Sequence, residues 1–259
     1  MMKEKILLLL CLVLSIVVFL IRDSKVYASS NDAACFGYEI SNQWIYVSDV
    51  DFDETKVETS KYYYGSMNGW AGAYKYYDEK ENEMFVLLLC TGWLQSSQKS
   101  YWDQRRWNNK EMSFKFYSNE TDVQLMNYSP KTTEGEISIT DSISINTGVN
   151  GNVATLGYSV SSSSSYTISE IPVCVRENTS SVLISHNFLK YKSNTSLSSV
   201  CCQSIRRNNL ALFKIEDYSP TKNYQFSVIL ECAFYRNGVF NSSSLSDKFM
   251  QTFVINSKN

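Results

Sequence analysis

The sequence predicts an all-β protein, a β-sandwich carrying one long amphipathic β-hairpin, and three observations support that expectation. Helical periodicity is scarce beyond the apolar N-terminal segment. Short runs of β-branched and aromatic residues recur between clusters of Asn, Ser, Gly and Asp, the pattern of strands separated by turns. One segment, Glu136 to Glu170, alternates greasy and small polar residues for longer than sandwich strand pairs usually do.

The N-terminal segment reads as an export signal. Lys3 and Lys5 precede an apolar run from Ile6 to Ile21, then Arg22, Asp23 and Lys25 follow, and Val26-Tyr27-Ala28 supplies the small-residue pattern of a cleavage site. The expectation is a signal peptide over 1–28 and a single β domain over 29–259, starting near Ser29. The sixteen apolar residues fall short of the roughly twenty that span a bilayer, so an uncleaved anchor is the less favoured alternative. Leu8-Leu9-Leu10-Cys11 lacks the small residue that a lipoprotein signal places before its cysteine.

Without the signal, twenty basic residues face twenty-four acidic ones, a net charge of about −4 that gives no electrostatic footprint for nucleic acid. Six cysteines remain: Cys35, Cys90, Cys174, Cys201, Cys202 and Cys232. An even count in an exported chain favours disulfides, although six cysteines allow fifteen pairings and the sequence does not choose among them. Zinc is the weaker reading, since CxxC is absent and His186 is the sole histidine. Asn119, Asn127, Asn178, Asn194 and Asn241 begin Asn-x-Ser/Thr triplets, which carry glycans only in a eukaryotic secretory route.

Met84 to Trp93 (MFVLLLCTGW) reads as a central strand buried on both faces, and Met112 to Tyr117 alternates as a half-buried one. Val182 to Leu189 is a further strand. Tyr224, Phe226, Val228, Leu230, Cys232 and Phe234 alternate with polar or smaller neighbours, which describes a long strand with one core face. Phe249 to Ile255 closes a sheet. Pro130 and Pro172 bracket the amphipathic segment, and proline commonly stands where a strand begins or ends because it has no N–H for a ladder.

Within that segment Ile137, Ile139, Ile143, Ile145 and Val149 take odd positions against Ser and Thr on even ones. In the second half Leu156, Tyr158, Val160, Tyr166 and Ile168 take even positions against Ser, Thr and Gly. A turn at Val149-Asn150-Gly151-Asn152 pairs Ile145 with Tyr158, Ile143 with Val160 and Ile137 with Tyr166, so that the apolar faces coincide. A slip of one residue would set greasy against polar. A face of Ser, Thr, Asn and Gly suits a water-filled lumen, and the opposite face suits lipid. An ordinary sandwich hairpin with a wet face is the alternative. Ile137 to Val149 is twelve rises of about 3.3 Å, and a tilt near 40° leaves roughly 30 Å along a bilayer normal, enough to cross. Asp141 falls on the greasy face opposite Ser162, roughly 20 Å from the tip and near the interface, where a carboxylate costs roughly 0–1 kcal/mol.

From residue 84 to 235 this order of features resembles the leukocidin/haemolysin family of β-barrel pore-forming toxins. The likeness rests on the strand FVLLLCTGWL, the strand beginning at Ser113-Phe114-Lys115, the entry Tyr128-Ser129-Pro130, and the two halves ISINTGVNGNV and GYSVSSSSSYTIS, which are similar to the family's stem strands. The resemblance implies a secreted monomer that assembles as a homo-oligomeric ring on target-cell membranes, held by membrane lipids or a surface receptor, with 130–172 as the stem. It also implies a lipid-facing rim within Val182 to Phe213, where Arg206 and Arg207 are candidates to meet phosphate, although exposed arginines more often do nothing specific. The family's bacterial members are larger and poor in cysteine.

No GxSxG, HExxH, P-loop or dinucleotide fingerprint is present, so the expectation is neither enzyme nor cofactor nor metal site. His186, in an apolar run, reads as structural. Asp49-x-Asp51-x-Asp53-Glu54 lacks the Gly and the closing Glu of a calcium loop and reads as a solvated acidic turn. Aromatics crowd the first third: Trp44, Tyr46, Tyr62, Tyr63, Tyr64, Trp70, Tyr74, Tyr76, Tyr77, Trp93, Tyr101, Trp102 and Trp107. They suit a carbohydrate surface, a membrane-interface belt or a β core. Tyr101, Trp102 and Trp107 lie in the most loop-like stretch and are the best candidates for membrane or receptor contact. The competing class is a non-lytic secreted binding module, lectin-like or a surface or defence protein, that never deploys the hairpin.

Overall fold

A computed structural model describes residues 33, 38–40, 43–60, 63–97, 108–130, 140–145, 158–163, 173–188, 204–236 and 243–256. The signal segment, the loop carrying Tyr101, Trp102 and Trp107, and hairpin residues Ile137, Ile139, Val149, Leu156, Tyr166 and Ile168 lie outside the described residues.

Among the described residues thirteen strands follow in chain order: β1 (Tyr38–Ile40), β2 (Ile45–Glu58), β3 (Tyr63–Asp78), β4 (Glu83–Ser96), β5 (Asn108–Ser118), β6 (Val123–Ser129), β7 (Thr140–Ile145), β8 (Tyr158–Ser163), β9 (Val173–Asn178), β10 (Ser181–Asn187), β11 (Ile205–Ile215), β12 (Tyr224–Arg236) and β13 (Ser243–Ile255). Two five-stranded sheets form the sandwich. The front sheet runs β2-β3-β4-β11-β6 and the back sheet β13-β12-β5-β10-β9, antiparallel throughout. A third sheet of three strands, β1-β8-β7, shares no ladder with either among the described residues.

Alternation on each strand builds the main core between the sheets. Val86, Leu88, Cys90 and Leu94 of β4 meet Phe114 and Phe116 of β5, Val182 and Ile184 of β10, and Phe226, Val228, Leu230, Cys232 and Phe234 of β12, all buried. Phe52 stacks on Phe249 at 4.9 Å to close one flank. The Leu125 N–H donates to the Thr179 carbonyl at 2.7 Å across the other.

The expected strands are present: β4, β5, β12 and β13 run beyond the apolar stretches that mark them, whereas β10 spans Ser181–Asn187 against the expected Val182 to Leu189, of which Leu189 lies outside the described residues. The double burial of β4 has a specific cause. Its even residues face the sandwich core, while Phe85, Leu87 and Leu89 face outward into a second buried cluster with Trp70, Tyr74, Leu210, Leu212, Tyr38, Trp44 and Ala33. That outer apolar face lies on the side where β8 runs beside β11 and β7 beside β6.

Two expectations need correction. Asp49, Asp51 and Asp53 lie within β2, an edge strand, rather than in a turn. An edge strand tolerates acidic residues because one side of its ladder meets water, and Asp49 also accepts hydrogen bonds from Tyr46 Oη at 2.6 Å and Trp70 Nε1 at 3.0 Å. Cys90, Cys174 and Cys232 carry no disulfide. Cys90 and Cys232 project into the core from opposite sheets, and sheets pack about 10 Å apart while a disulfide needs Cα atoms about 4.4–6.8 Å apart. Burial pushes both thiols up, so they stay protonated. Cys35, Cys201 and Cys202 lie outside the described residues.

Candidate functional site

The hairpin strands pair in the register that coincident apolar faces require. Thr140 faces Ser163, Asp141 faces Ser162, Ile143 faces Val160 and Ile145 faces Tyr158. On its other side β8 pairs, among the described residues, with β1: Tyr38 with Ser162, Glu39 with Ser161 and Ile40 with Val160. Among the described residues neither sandwich sheet takes a ladder hydrogen bond from β7 or β8. β6 ends at Ser129 and β9 opens at Val173, each next to one of the bracketing prolines.

What ties β1 to the sandwich is Tyr38, a residue the sequence reading passed over. Its ring is fully buried beside Trp70, with centroids 6.1 Å apart. Its hydroxyl reaches the backbone of the Cys90–Asn209 pair of the β4–β11 ladder. There Oη lies 2.8 Å from the Cys90 carbonyl and 3.0 Å from that of Asn209, and accepts from the Asn209 N–H at 3.1 Å. The Thr91 hydroxyl lies 3.3 Å from Oη and donates to Asn208 Oδ1 at 3.0 Å. Burial raises the phenol far above its ordinary range, so it remains a donor at any working pH.

The same network continues through the sheet. His186, on β10, brings Nε2 to 2.9 Å from Asn209 Oδ1, while Nδ1 has no partner. Burial first, and the Arg207 charge second, lower its pKa to about 3, so the ring is neutral. This is a structural histidine. Alternation sends the two consecutive arginines of β11 in opposite directions. Arg207 points into the core, 4 % exposed, with Nη1 donating to the Arg206 carbonyl at 3.0 Å and Nε unpartnered. Burial lowers its pKa to about 10, so it stays charged. It offers no surface to a headgroup. Arg206 lies on the outer face, its guanidinium 4.8 Å above the Trp93 ring and its Nε 3.4 Å from Asn208 Oδ1. Trp93 and Arg206 are direct neighbours across the β4–β11 ladder, a pairing invisible in the sequence because the two strands are far apart in the chain.

Topology gathers the long connections. The strand ends flanking 59–62, 98–107, 189–203 and 237–242 lie at one end of the sandwich, where Gly65 also meets Phe234 across the sheets. The segment 131–172 leaves β6 and returns to β9 toward that same end. The turns at 79–82, 119–122, 179–180 and 216–223 lie at the opposite end. Tyr101, Trp102 and Trp107 therefore belong to a connection whose flanks, Ser96 and Asn108, stand at the long-loop end. Of the aromatics nearer the N-terminus, Tyr38, Trp44, Tyr64, Trp70 and Tyr74 are core, while Tyr63 and Tyr77 are exposed. Among the described residues no group of three His, Cys, Asp or Glu is placed to hold a metal.

These features define an antiparallel β-sandwich with an amphipathic hairpin stored outside its two sheets. The structure is similar to that of Clostridium perfringens delta-toxin, with a TM-score of 0.49 and 13% identity, covering 84% of this chain and 99% of that one. It is also similar to a structure titled pore forming protein, with a TM-score of 0.48 and 11% identity, covering 85% and 97%. At such identities the likeness concerns the fold alone. No protein-family model and no curated protein matches the chain.

Proposed function

We propose that this is a secreted, non-catalytic pore-forming protein, a cytolysin, whose hairpin between Pro130 and Pro172 leaves the sandwich and joins those of other copies in a transmembrane β-barrel. The observation that supports the reading is that, among the described residues, β7 and β8 share no ladder with either sandwich sheet. Among the described residues their departure breaks the three-residue ladder with β1, while the two five-stranded ladders stay whole. The alternation of Ile143, Ile145, Tyr158 and Val160 with Ser and Thr supplies one face for lipid and one for water. A lone hairpin in lipid would leave backbone groups unpaired, so insertion needs a closed ring of copies. The long-loop end, which holds the connection bearing Tyr101, Trp102 and Trp107, is the end that would meet the membrane and its lipids or receptor.

The test is release of an encapsulated dye from liposomes and of haemoglobin from erythrocytes by the mature protein, beside the double variant Ile145→Asp/Val160→Asp. Release by the native chain should fall at least tenfold in the variant while its thermal unfolding stays within a few degrees. Equal release from both would sink the hairpin as the inserting element.

A further inference from the structure

The outer face of β3, β4 and β11 changes character along its length. Rows read across the ladder run Tyr74–Leu87–Leu212 and Gly72–Leu89–Leu210 in the covered part, then Trp70–Thr91–Asn208, Asn68–Trp93–Arg206 and Ser66–Gln95 toward the long-loop end. The Trp70–Thr91–Asn208 row is buried against Tyr38. Beyond it Asn68, Trp93, Ser66 and Gln95 of the last two rows line a depression of about 180 Å³ together with Glu54, Met67 and Ser204. Glu54 reaches it because β2 is bulged between Phe52 and Thr55. Nothing in the sandwich's packing calls for amides, hydroxyls and a carboxylate around a half-buried indole.

We propose that this depression binds one pyranose ring of a cell-surface glycan. The inference deepens the reading above by naming the class of receptor. The size suits a single sugar, being well below the roughly 300–1,000 Å³ of a site for a drug-sized ligand. The indole of Trp93, held under the Arg206 guanidinium, provides an apolar body with a polar edge, which suits the C–H face of a sugar. Asn68, Gln95, Ser66 and Ser204 each both donate and accept, and Glu54 accepts, so together they match neighbouring hydroxyls that also do both. Other ligands fit less well. A quaternary ammonium headgroup is recognised by a cage of several rings, whereas among the described lining residues Trp93 supplies the one ring, with the Arg206 cation over it. A phosphate would meet the Glu54 carboxylate, and Arg206 is turned to Asn208.

The full mature chain is first screened against an array of immobilised neutral and sialylated glycans, and its best ligand is then titrated by calorimetry. Trp93→Ala should weaken binding at least tenfold, and Asn68→Ala and Gln95→Ala at least threefold. Gln95 is exposed, so its variant folds even if the Trp93 one does not, and thermal melts verify each. Glycolipid vesicles and glycoprotein-coated beads, run in parallel, identify the carrier, and binding to either supports the site. Absence of any glycan binding by the native chain overturns the proposal. So does unchanged affinity in all the variants, or binding to glycan-free phosphatidylcholine vesicles that depends on these same residues. The Ile145→Asp/Val160→Asp variant should bind the glycan like the native chain. Glycan binding by a native chain that lyses nothing keeps this site and removes the pore, and lysis without glycan binding does the reverse.

Discussion

The Tyr38 hydroxyl sits at the backbone of the Cys90–Asn209 pair, and every group it touches there is out of reach of water. Tyr38→Phe keeps the ring against Trp70 but leaves the Asn209 N–H without this acceptor, and an orphaned buried group costs about 1–3 kcal/mol. Urea unfolding should show a loss of that size, with proteolysis in the hairpin segment rising alongside; an unchanged midpoint would mean the hydroxyl anchors nothing. His186 makes a pH-dependent contribution. Its folded pKa, about 3, lies below the ordinary value of 6.5, so the unfolded chain takes up a proton that the folded one refuses. The stability it contributes is complete above about pH 6.5 and is lost as pH falls from there toward 3, at roughly 1.4 kcal/mol per pH unit. His186→Gln should flatten the decline in urea midpoint between pH 6 and 4, and a variant with the native slope would remove His186 as its source. The sequence marked His186 as structural by its apolar run, yet gave no sign of Tyr38, whose importance lies entirely in partners from distant strands.

At the scale of elements, the strongest sequence signals were those set by one strand's own pattern. β4, β5, β10, β12 and β13 were legible because burial imposes period two on each strand independently. The register of the described hairpin pairs was legible too, since a one-residue slip would set greasy against polar. β2 was misread: its acidic residues looked like a turn because edge placement, which permits them, is a property of the sheet and not of the strand. β3 owes its fit to glycine at a close approach of the two sheets. A Cβ on Gly69 would lie 2.6 Å from the Thr91 carbonyl oxygen and 2.7 Å from Leu230. Gly69→Ala should therefore cost about 1–3 kcal/mol through overpacking, read as a lower thermal midpoint with the strand content unchanged by circular dichroism; an unshifted midpoint would show that the sheets can part there freely.

For the molecule as a whole, the consequential arrangement is a sandwich of two five-stranded sheets beside a third, three-stranded sheet that shares no ladder with them among the described residues. Glu39 and Ser161 are Cα partners across β1 and β8, and partners in an antiparallel pair are about 4.5–5.5 Å apart, within the span of a disulfide. The double variant Glu39→Cys/Ser161→Cys should be at least tenfold less lytic when oxidised and recover on mild reduction, while reductant leaves the native chain's activity alone. Full activity in the oxidised form would mean the hairpin acts without leaving β1. Gathering the long connections at one end separates them from the regular turns at the other, and that segregation follows from strand order rather than from any motif.

The sequence by itself determined the fold class, the chief strands and the hairpin's register and amphipathicity, because each depends on local alternation and turn chemistry. Tertiary structure alone decided that the hairpin lies outside both sheets, that Tyr38 pins β1 to the β4–β11 ladder, that Arg206 meets Trp93 while Arg207 turns inward, and that Cys90 and Cys232 remain thiols. Those outcomes depend on which strands become neighbours and on the spacing of the sheets. Neighbour choice is settled by the burial of whole faces against one another, which no single strand encodes.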